Sequence, residues 1–205
     1  MITKEKIALK THSLCSSFYN IMPISNIPSV IENGILSFQR TKSISHTSIA
    51  LTAVQERRDQ VVIPNGQRLH NYANLYFTYR NPMMYRRKNE AENLCVLAID
   101  LSVLEIPGCV LSDRNASAFL AKFYSPEDGF DCIDFGLVYA RDWNDPDPYE
   151  YAKKKAIKCA EILVPNCVPY QYIKGAYVLN EDAKLRLENI GFDKKIVVNS
   201  SAFYR

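Results

Sequence analysis

The chain has 205 residues, a net charge of +3, and 47% apolar against 23% charged residues. That length suffices for a sizeable core, and the mixed composition excludes a disordered or low-complexity chain. No apolar run approaches the roughly 18 residues a membrane span needs, and the charge alone is too small to mark a nucleic-acid binder.

The opening "MITKEKIALK" lacks a long apolar stretch and a small-residue cleavage site. The expectation is a cytoplasmic monomer with no membrane contact, organised as one domain over residues 1–205. In "FYNIMPISNIPSVIENGILSF" a short strand is followed by Ser25 or Asn26 as helix cap, with Pro28 in the first turn. Ile27, Ile31 and Ile35 then recur at spacing four, and Gly34 is a natural stop. The start of such a helix can accept an anion. "HTSIALTAVQERRDQ" reads as a helix or a loop with a helical turn, and "GQRLHNYANLYFTYRNPMMY" as a strand running into a turn at Asn81-Pro82.

"LCVLAIDLSVL" predicts a buried central strand, and "SDRNASAFLAKFYS" a short helix opened by Ser112 or Asp113. Residues 125–150, rich in Asp, Pro and Tyr, read mostly as loop. The helix "EYAKKKAIK", the strands "CAEILVP", "IKGAYVLN" and "KKIVVN", and a helix from Glu181 to Asn189 complete the chain. There are too few strand-helix-strand crossovers for a doubly wound sheet, so the fold class is α+β with mostly antiparallel strands.

Six cysteines without a CxxC spacing read as buried free thiols, and three histidines far apart give a metal site no support. In "CAEILVP" alternation puts Ala160, Ile162 and Val164 on one face and Cys159, Glu161 and Leu163 on the other. Glu161 is the one charge of that strand. It is either an edge residue facing water or a carboxylate partnered at the floor of a cleft. Arg58, after Arg57 in "VQERRD", reads first as part of a solvated helix face. The segment "HNYANLYFTYRNPMMYRR" crowds four tyrosines and three arginines into residues 70–87, which suits neither a plain strand nor a plain loop. Arg57-Arg58, Arg86-Arg87-Lys88 and Lys153-Lys154-Lys155 can lay positive charge along a groove. No Walker, GxGxxG or GxSxG motif occurs.

The ordered set "FYNIMPISNIPSVIENGILS", "SIALTAVQERRDQ", "LHNYANLYFTYRNPMMY", "LSDRNA" and "KKKAIKCAEILVP" resembles the DarT family, DNA ADP-ribosyltransferase toxins of bacterial toxin–antitoxin pairs. The resemblance runs from about residue 18 to 170 and more weakly to "SSAFYR". It implies an ADP-ribosyltransferase fold in which two small antiparallel sheets, with peripheral helices, form a cleft for NAD+ as substrate, without a metal. It places Glu161 as the catalytic glutamate and Arg58 as the arginine that contacts NAD+ and assists transfer. Asn20, Ile21, Met22, Ser29, Ser37 and Tyr76 match cofactor positions. Arg80, Met84, Tyr85, Arg87, Arg114 and Asn115 would face DNA, the segment from about 112 to 161 presenting the base.

The partners implied are single-stranded DNA and a DarG-like macrodomain antitoxin. Asn20 and Asn115 stand where relatives carry histidine, which leans the acceptor toward guanine over thymine. Transfer to RNA or protein, and an inactive nucleic-acid-binding module, are the alternatives.

Overall fold

The computed structural model describes residues 3–204. Nine helices and ten strands are described: α1 (Lys4–Lys10), β1 (Phe18–Pro23), α2 (Ile27–Asn33), β2 (Ile35–Leu36), α3 (Phe38–Thr41), α4 (Thr52–Asp59), β3 (Tyr72–Tyr76), α5 (Pro82–Arg86), β4 (Leu94–Ile99), β5 (Val110–Ser112), β6 (Phe123–Tyr124), α6 (Pro126–Cys132), α7 (Phe135–Val138), α8 (Pro148–Ile157), β7 (Glu161–Pro165), β8 (Cys167–Val168), β9 (Ile173–Val178), α9 (Glu181–Asn189) and β10 (Lys195–Val198). Among the described residues no helix is long and apolar enough to cross a membrane.

The main sheet runs β10-β9-β4-β1-β3-β7-β5-β6, with a two-stranded β2-β8 pair beside it. Only β9 and β10 pair in parallel; the fold is α+β and mostly antiparallel, as expected. Two four-stranded halves meet at β1 and β3, which share a single paired position, Tyr19 with Tyr76. Beyond that pair the strands part, and the Asn20 side chain spans the fork by donating to the Asn74 carbonyl at 3.1 Å. The expected cleft between two small sheets is thus a fork within one eight-stranded sheet, its halves joined at one rung.

One face of the sheet carries the main core, with Phe18, Leu75, Phe77, Leu97, Ile162 and Val164 among its members. The other face is divided. Tyr19, Tyr76, Met84, Val96 and Cys159 form one apolar cluster there, and Ile63, Leu69, Tyr72, Ala116 and Leu163 form another. The alternation expected of β7 holds: Ala160, Ile162 and Val164 enter the main core, while Cys159 and Leu163 enter the two clusters opposite. Glu161 sits between those two neighbours, where the apolar lining is interrupted.

Gly34 ends α2 with φ +73°, and a Cβ there would lie 2.3 Å from the Val168 carbonyl oxygen, so only glycine lets the β2-β8 pair close. Asn26 precedes α2 but does not cap it; its amide exchanges hydrogen bonds with the Thr47 backbone at 2.9 Å. Asn81-Pro82 is a helix start: the Asn81 side chain accepts from Met84 N at 3.0 Å and Pro82 occupies the first turn, where its missing N–H costs nothing.

Two further readings need correction. Residues 110–124 form a strand, a turn and a strand in place of a helix. Asp113 accepts from Lys122 N at 2.9 Å and Asn115 from Ser117 N at 3.0 Å, so short polar side chains take the backbone donors a helix would need. The stretch 125–150 is less irregular than expected. Ser125, Asp134 and Asp147 accept from backbone amides at the starts of α6, α7 and α8.

Candidate active site

Glu161 opens β7 and is wholly buried, and Arg58, near the end of α4, is 6% exposed. Arg58 Nη1 donates to both carboxylate oxygens, at 3.1 Å to Oε1 and 3.0 Å to Oε2. The Ala116 backbone N–H adds a third bond to Oε1 at 3.1 Å. An ion pair taken out of water in this way needs further hydrogen bonds to hold it, and the Glu161 carboxylate accepts three. Both alternatives open from the strand pattern are thereby resolved: Glu161 does not face water, and Arg58 leaves the solvated side of its helix to Arg57.

The register extends the site across three strands. Tyr76 of β3 and Ser112 of β5 lie directly opposite Glu161, so the three share one face. Burial, and then the charge of Glu161, push the Tyr76 phenol far above its usual range, so the ring stays neutral. The same two causes push the Cys159 thiol up to about 12, which removes a thiolate nucleophile from the site. The Ser112 hydroxyl is fully buried and has no hydrogen-bond partner.

A second hydrogen-bonded unit holds α4 in place. The His70 ring nitrogens meet Asp59 Oδ1 at 3.1 Å and Gln55 Oε1 at 3.0 Å, and the ring lies 4.3 Å from that of Phe38. Gln55 and Asp59, four residues apart, share one side of α4. Burial lowers the His70 pKa against the pull of Asp59. The "QERR" and "LHNY" stretches are thus parts of one clasp: Gln55 and Asp59 fix the helix to His70, and Arg58 reaches Glu161. His70, Ser112 and the Ala116 amide were not among the site residues expected from sequence, although all three fall within stretches that carried the resemblance.

Of the expected cofactor residues, Asn20, Ile21 and Met22 on β1 and Tyr76 on β3 lie at the fork. Ile21 and Met22 are buried in β1 and Asn20 bridges to β3. Ser37, which follows β2, is buried with an unpartnered hydroxyl, an orphan polar atom that suits a ligand position. Ser29, on α2, is half-buried and accepts from the Asn33 amide. A groove of about 510 Å3 begins where β1 ends, lined by Pro23, Ile24, Thr47, Ile49, Leu94 and Arg186. It does not include Glu161 or Arg58, which α4 and the 113–122 turn close over. Among the described residues no cluster of three or more His, Cys, Asp or Glu could hold a metal.

The residues expected to face DNA divide. Arg80 donates to the Ser201 and Phe203 carbonyls at 2.6 and 3.2 Å and stacks on Tyr204, so it anchors the last residues of the described chain. Arg87 donates to the Ile49 carbonyl and pairs with Glu90 at 2.8 Å. Met84 has no exposed surface. These three are committed to the protein's own packing. Tyr85 is exposed, edge-on to Trp143 and Tyr204. Arg114 pairs with Asp113 at 2.9 Å, and Asn115 is spent on its own turn through Oδ1.

Residues 19–204 match the sequence model of a family described as "ssDNA thymidine ADP-ribosyltransferase, DarT". The chain is similar to a DNA ADP-ribosyl transferase–DNA ADP-ribosyl glycohydrolase fusion protein of Thermosipho africanus, 27% identical over 188 residues, covering 88% of the chain but only 47% of that protein. The chain therefore spans about half the length of that relative. It is also similar to a DNA ADP-ribosyl transferase of Thermus sp. strain 2.9, 27% identical over 183 residues and covering 84% of this chain and 85% of that one. In structure it resembles Thermus sp. 2.9 DarT in complex with ADP-ribosylated ssDNA, with TM-score 0.79 and 24% identity over 93% of this chain and 97% of that one.

Proposed function

The chain belongs to the DarT family, and from that membership we propose that it transfers ADP-ribose from NAD+ to a base of single-stranded DNA, releasing nicotinamide. The observation that carries the reading is the buried Glu161–Arg58 pair at the fork between the two half-sheets. NAD+ supplies the ADP-ribosyl group and a leaving group. Glu161 stabilises the positive charge that develops on the ribose as the bond to nicotinamide breaks and its electrons leave with the ring. As the base nitrogen bonds to the same carbon it loses its proton, which Glu161 accepts and passes to water. Arg58, a fixed cationic fork, holds the pyrophosphate once it turns from Glu161. Asn20, Ser29, Ser37, the backbone of Ile21 and Met22, and the Tyr76 ring would hold the rest of NAD+.

The acceptor is the finer question. The description of the family model names thymidine. Asn20 and Asn115 cannot be an imidazolium, and although Asn20 Nδ2 is held by the Asn74 carbonyl and Asn115 Oδ1 by Ser117, each amide keeps its other atom for a base, which favours guanine in this chain. Both bases present the reacting nitrogen on an edge that is paired in a duplex, so single strands are the expected substrate and duplex requires extrusion of the base. A bulky group on that edge obstructs copying, which supports a toxin role. The Thermosipho protein, named for both transferase and glycohydrolase activities, supports a partner that removes the mark, such as a DarG-like macrodomain antitoxin.

Labelled NAD+ incubated with single-stranded DNA, duplex DNA, RNA and protein in separate reactions tests this. Label on the single strand alone is the expected result, and oligonucleotides containing only guanine or only thymine, read by mass spectrometry, assign the base. Label only on RNA or protein replaces the DNA reading. No label anywhere, with binding of single strands retained, makes the chain an inactive binding module.

A further inference from the structure

Phe119 is fully exposed and its neighbour Leu120 is 52% exposed. A phenylalanine with its whole ring in water is rare, since burying such a side chain is strongly favourable. It does not sit on a loose end. Asp113 N donates to Lys122 O at 3.2 Å, Ala118 N to Asn115 O at 2.8 Å, Ala121 N to Ala118 O at 3.0 Å, and Asn115 N to Ala156 O at 2.9 Å. The turn is therefore closed on itself and tied to the end of α8, with its two apolar side chains held outward at the tip.

The same turn reaches the catalytic pair from its other end, through the Ala116 N–H on Glu161. Phe119 is three positions after Ala116, so their backbones lie within about 11 Å. Lys122 is exposed at the base of the turn, beside the Arg114–Asp113 ion pair. Two side chains at a tip cover far less than the several hundred Å2 per side of a stable protein–protein contact. They do match one unstacked nucleobase, whose flat face packs on an aromatic ring without regard to sequence.

We propose that Phe119, backed by Leu120, is a stacking wedge for a base of single-stranded DNA flanking the acceptor. The inference rests on the reading of the chain as a transferase acting on single strands, and adds to it a named contact that a duplex, its bases stacked, does not offer. The wedge is not a catalytic residue; it positions the strand so that the acceptor meets Glu161.

The test uses the full chain, NAD+ and a single-stranded oligonucleotide. Phe119→Ala is expected to raise the KM for the oligonucleotide about five- to hundredfold, with the KM for NAD+ and the Tm held. Phe119→Trp restores the oligonucleotide KM, and its fluorescence is quenched as oligonucleotide is added. A Phe119→Ala KM within about twofold of wild type, on a strand the wild type modifies, overturns the wedge and leaves the transferase reading standing. A wild type that modifies no DNA defeats the transferase reading, and Phe119→Trp then decides the contact by itself: quenching upholds it and its absence overturns it. Self-association by light scattering that Phe119→Ala abolishes, with KM unchanged, assigns the tip to a second copy of the chain and also overturns the wedge.

Discussion

Replacing Arg58 by alanine leaves Glu161 buried, with the Ala116 N–H as its remaining donor among the bonds described. Truncating one partner of a buried pair costs about 3–5 kcal/mol, because the other charge stays out of water. For a chain of this length each kcal/mol moves the Tm by about 2–4 °C, so Arg58→Ala is expected to melt roughly 6–20 °C below wild type. Glu161→Ala is the milder change. It strands a cation on a helix whose next residue, Arg57, already lies in water, and a long side chain can rotate out. The pair Arg58→Met with Glu161→Leu removes both charges and is expected to equal or exceed the wild-type stability. All three proteins should lose transfer. Calorimetry at neutral pH and a mass-spectrometric transfer assay on the same samples separate the two effects. An Arg58→Ala Tm within about 2 °C of wild type would mean that water reaches Glu161 and that the closed site is wrong. Transfer by Glu161→Ala within about tenfold of wild type removes Glu161 from the chemistry.

His70→Ala releases Gln55 and Asp59, so α4 should loosen at a cost of about 1–3 kcal/mol, with kcat falling more than the KM for DNA; urea melts and steady-state kinetics check both. Arg80→Ala should free residues 201–204 to faster hydrogen exchange without flattening the salt dependence of DNA binding, since the guanidinium is spent on carbonyls. Alkali should destabilise the protein above about pH 9. Burial raises the thiols of Cys15 to about 11 and of Cys95, Cys109 and Cys159 to about 12, so the folded state keeps protons that the unfolded state releases near 9. Stability is then lost as pH rises, at about 1.4 kcal/mol per pH unit for each thiol. Lys158, its ammonium lowered to about 8 by burial, acts in the opposite sense between 8 and its ordinary 10.5, but it is one group against four. A Tm flat from pH 8 to 10.5 would refute the burial of the thiols.

What could be read in advance followed the strength of local patterning. The apolar runs at 94–99, 161–165 and 173–178 and the helix from Glu181 to Asn189 were legible because burial or period alone dictates them. The α6 and α7 caps and the Asn81-Pro82 helix start were written in the residues too, but the density of turn formers in 125–150 masks the first two, and an Asn before Pro is also a turn signal. The turn 113–122 was not legible. "ASAFLAK" favours a helix, and what overrides it is the pairing of β5 with β7, a contact between segments far apart in the chain. Alternation set the face of Glu161 correctly, yet could not say whether that face is wet, since its partner is 103 residues away.

That distance explains how the site is built. Glu161 can be buried because α4 delivers Arg58, and α4 is held by His70, at the threshold of β3, which bonds Gln55 and Asp59 on one side of it. β3 in turn sets Tyr76 opposite Glu161 and, at its one shared rung with β1, opens the fork that Asn20 spans. The five groups lie on β7, α4, the turn before β3, β3 and β1, and each is positioned by another. On the proposed chemistry the same pair also supplies the reason for its closure. An anion that draws Arg58 away leaves Glu161 buried beside the ribose without its counter-charge, a cost borne in the bound ground state. The positive charge that develops as nicotinamide leaves restores the balance, so the carboxylate interacts more strongly with the transition state than with the substrate, which is the condition for accelerating the reaction.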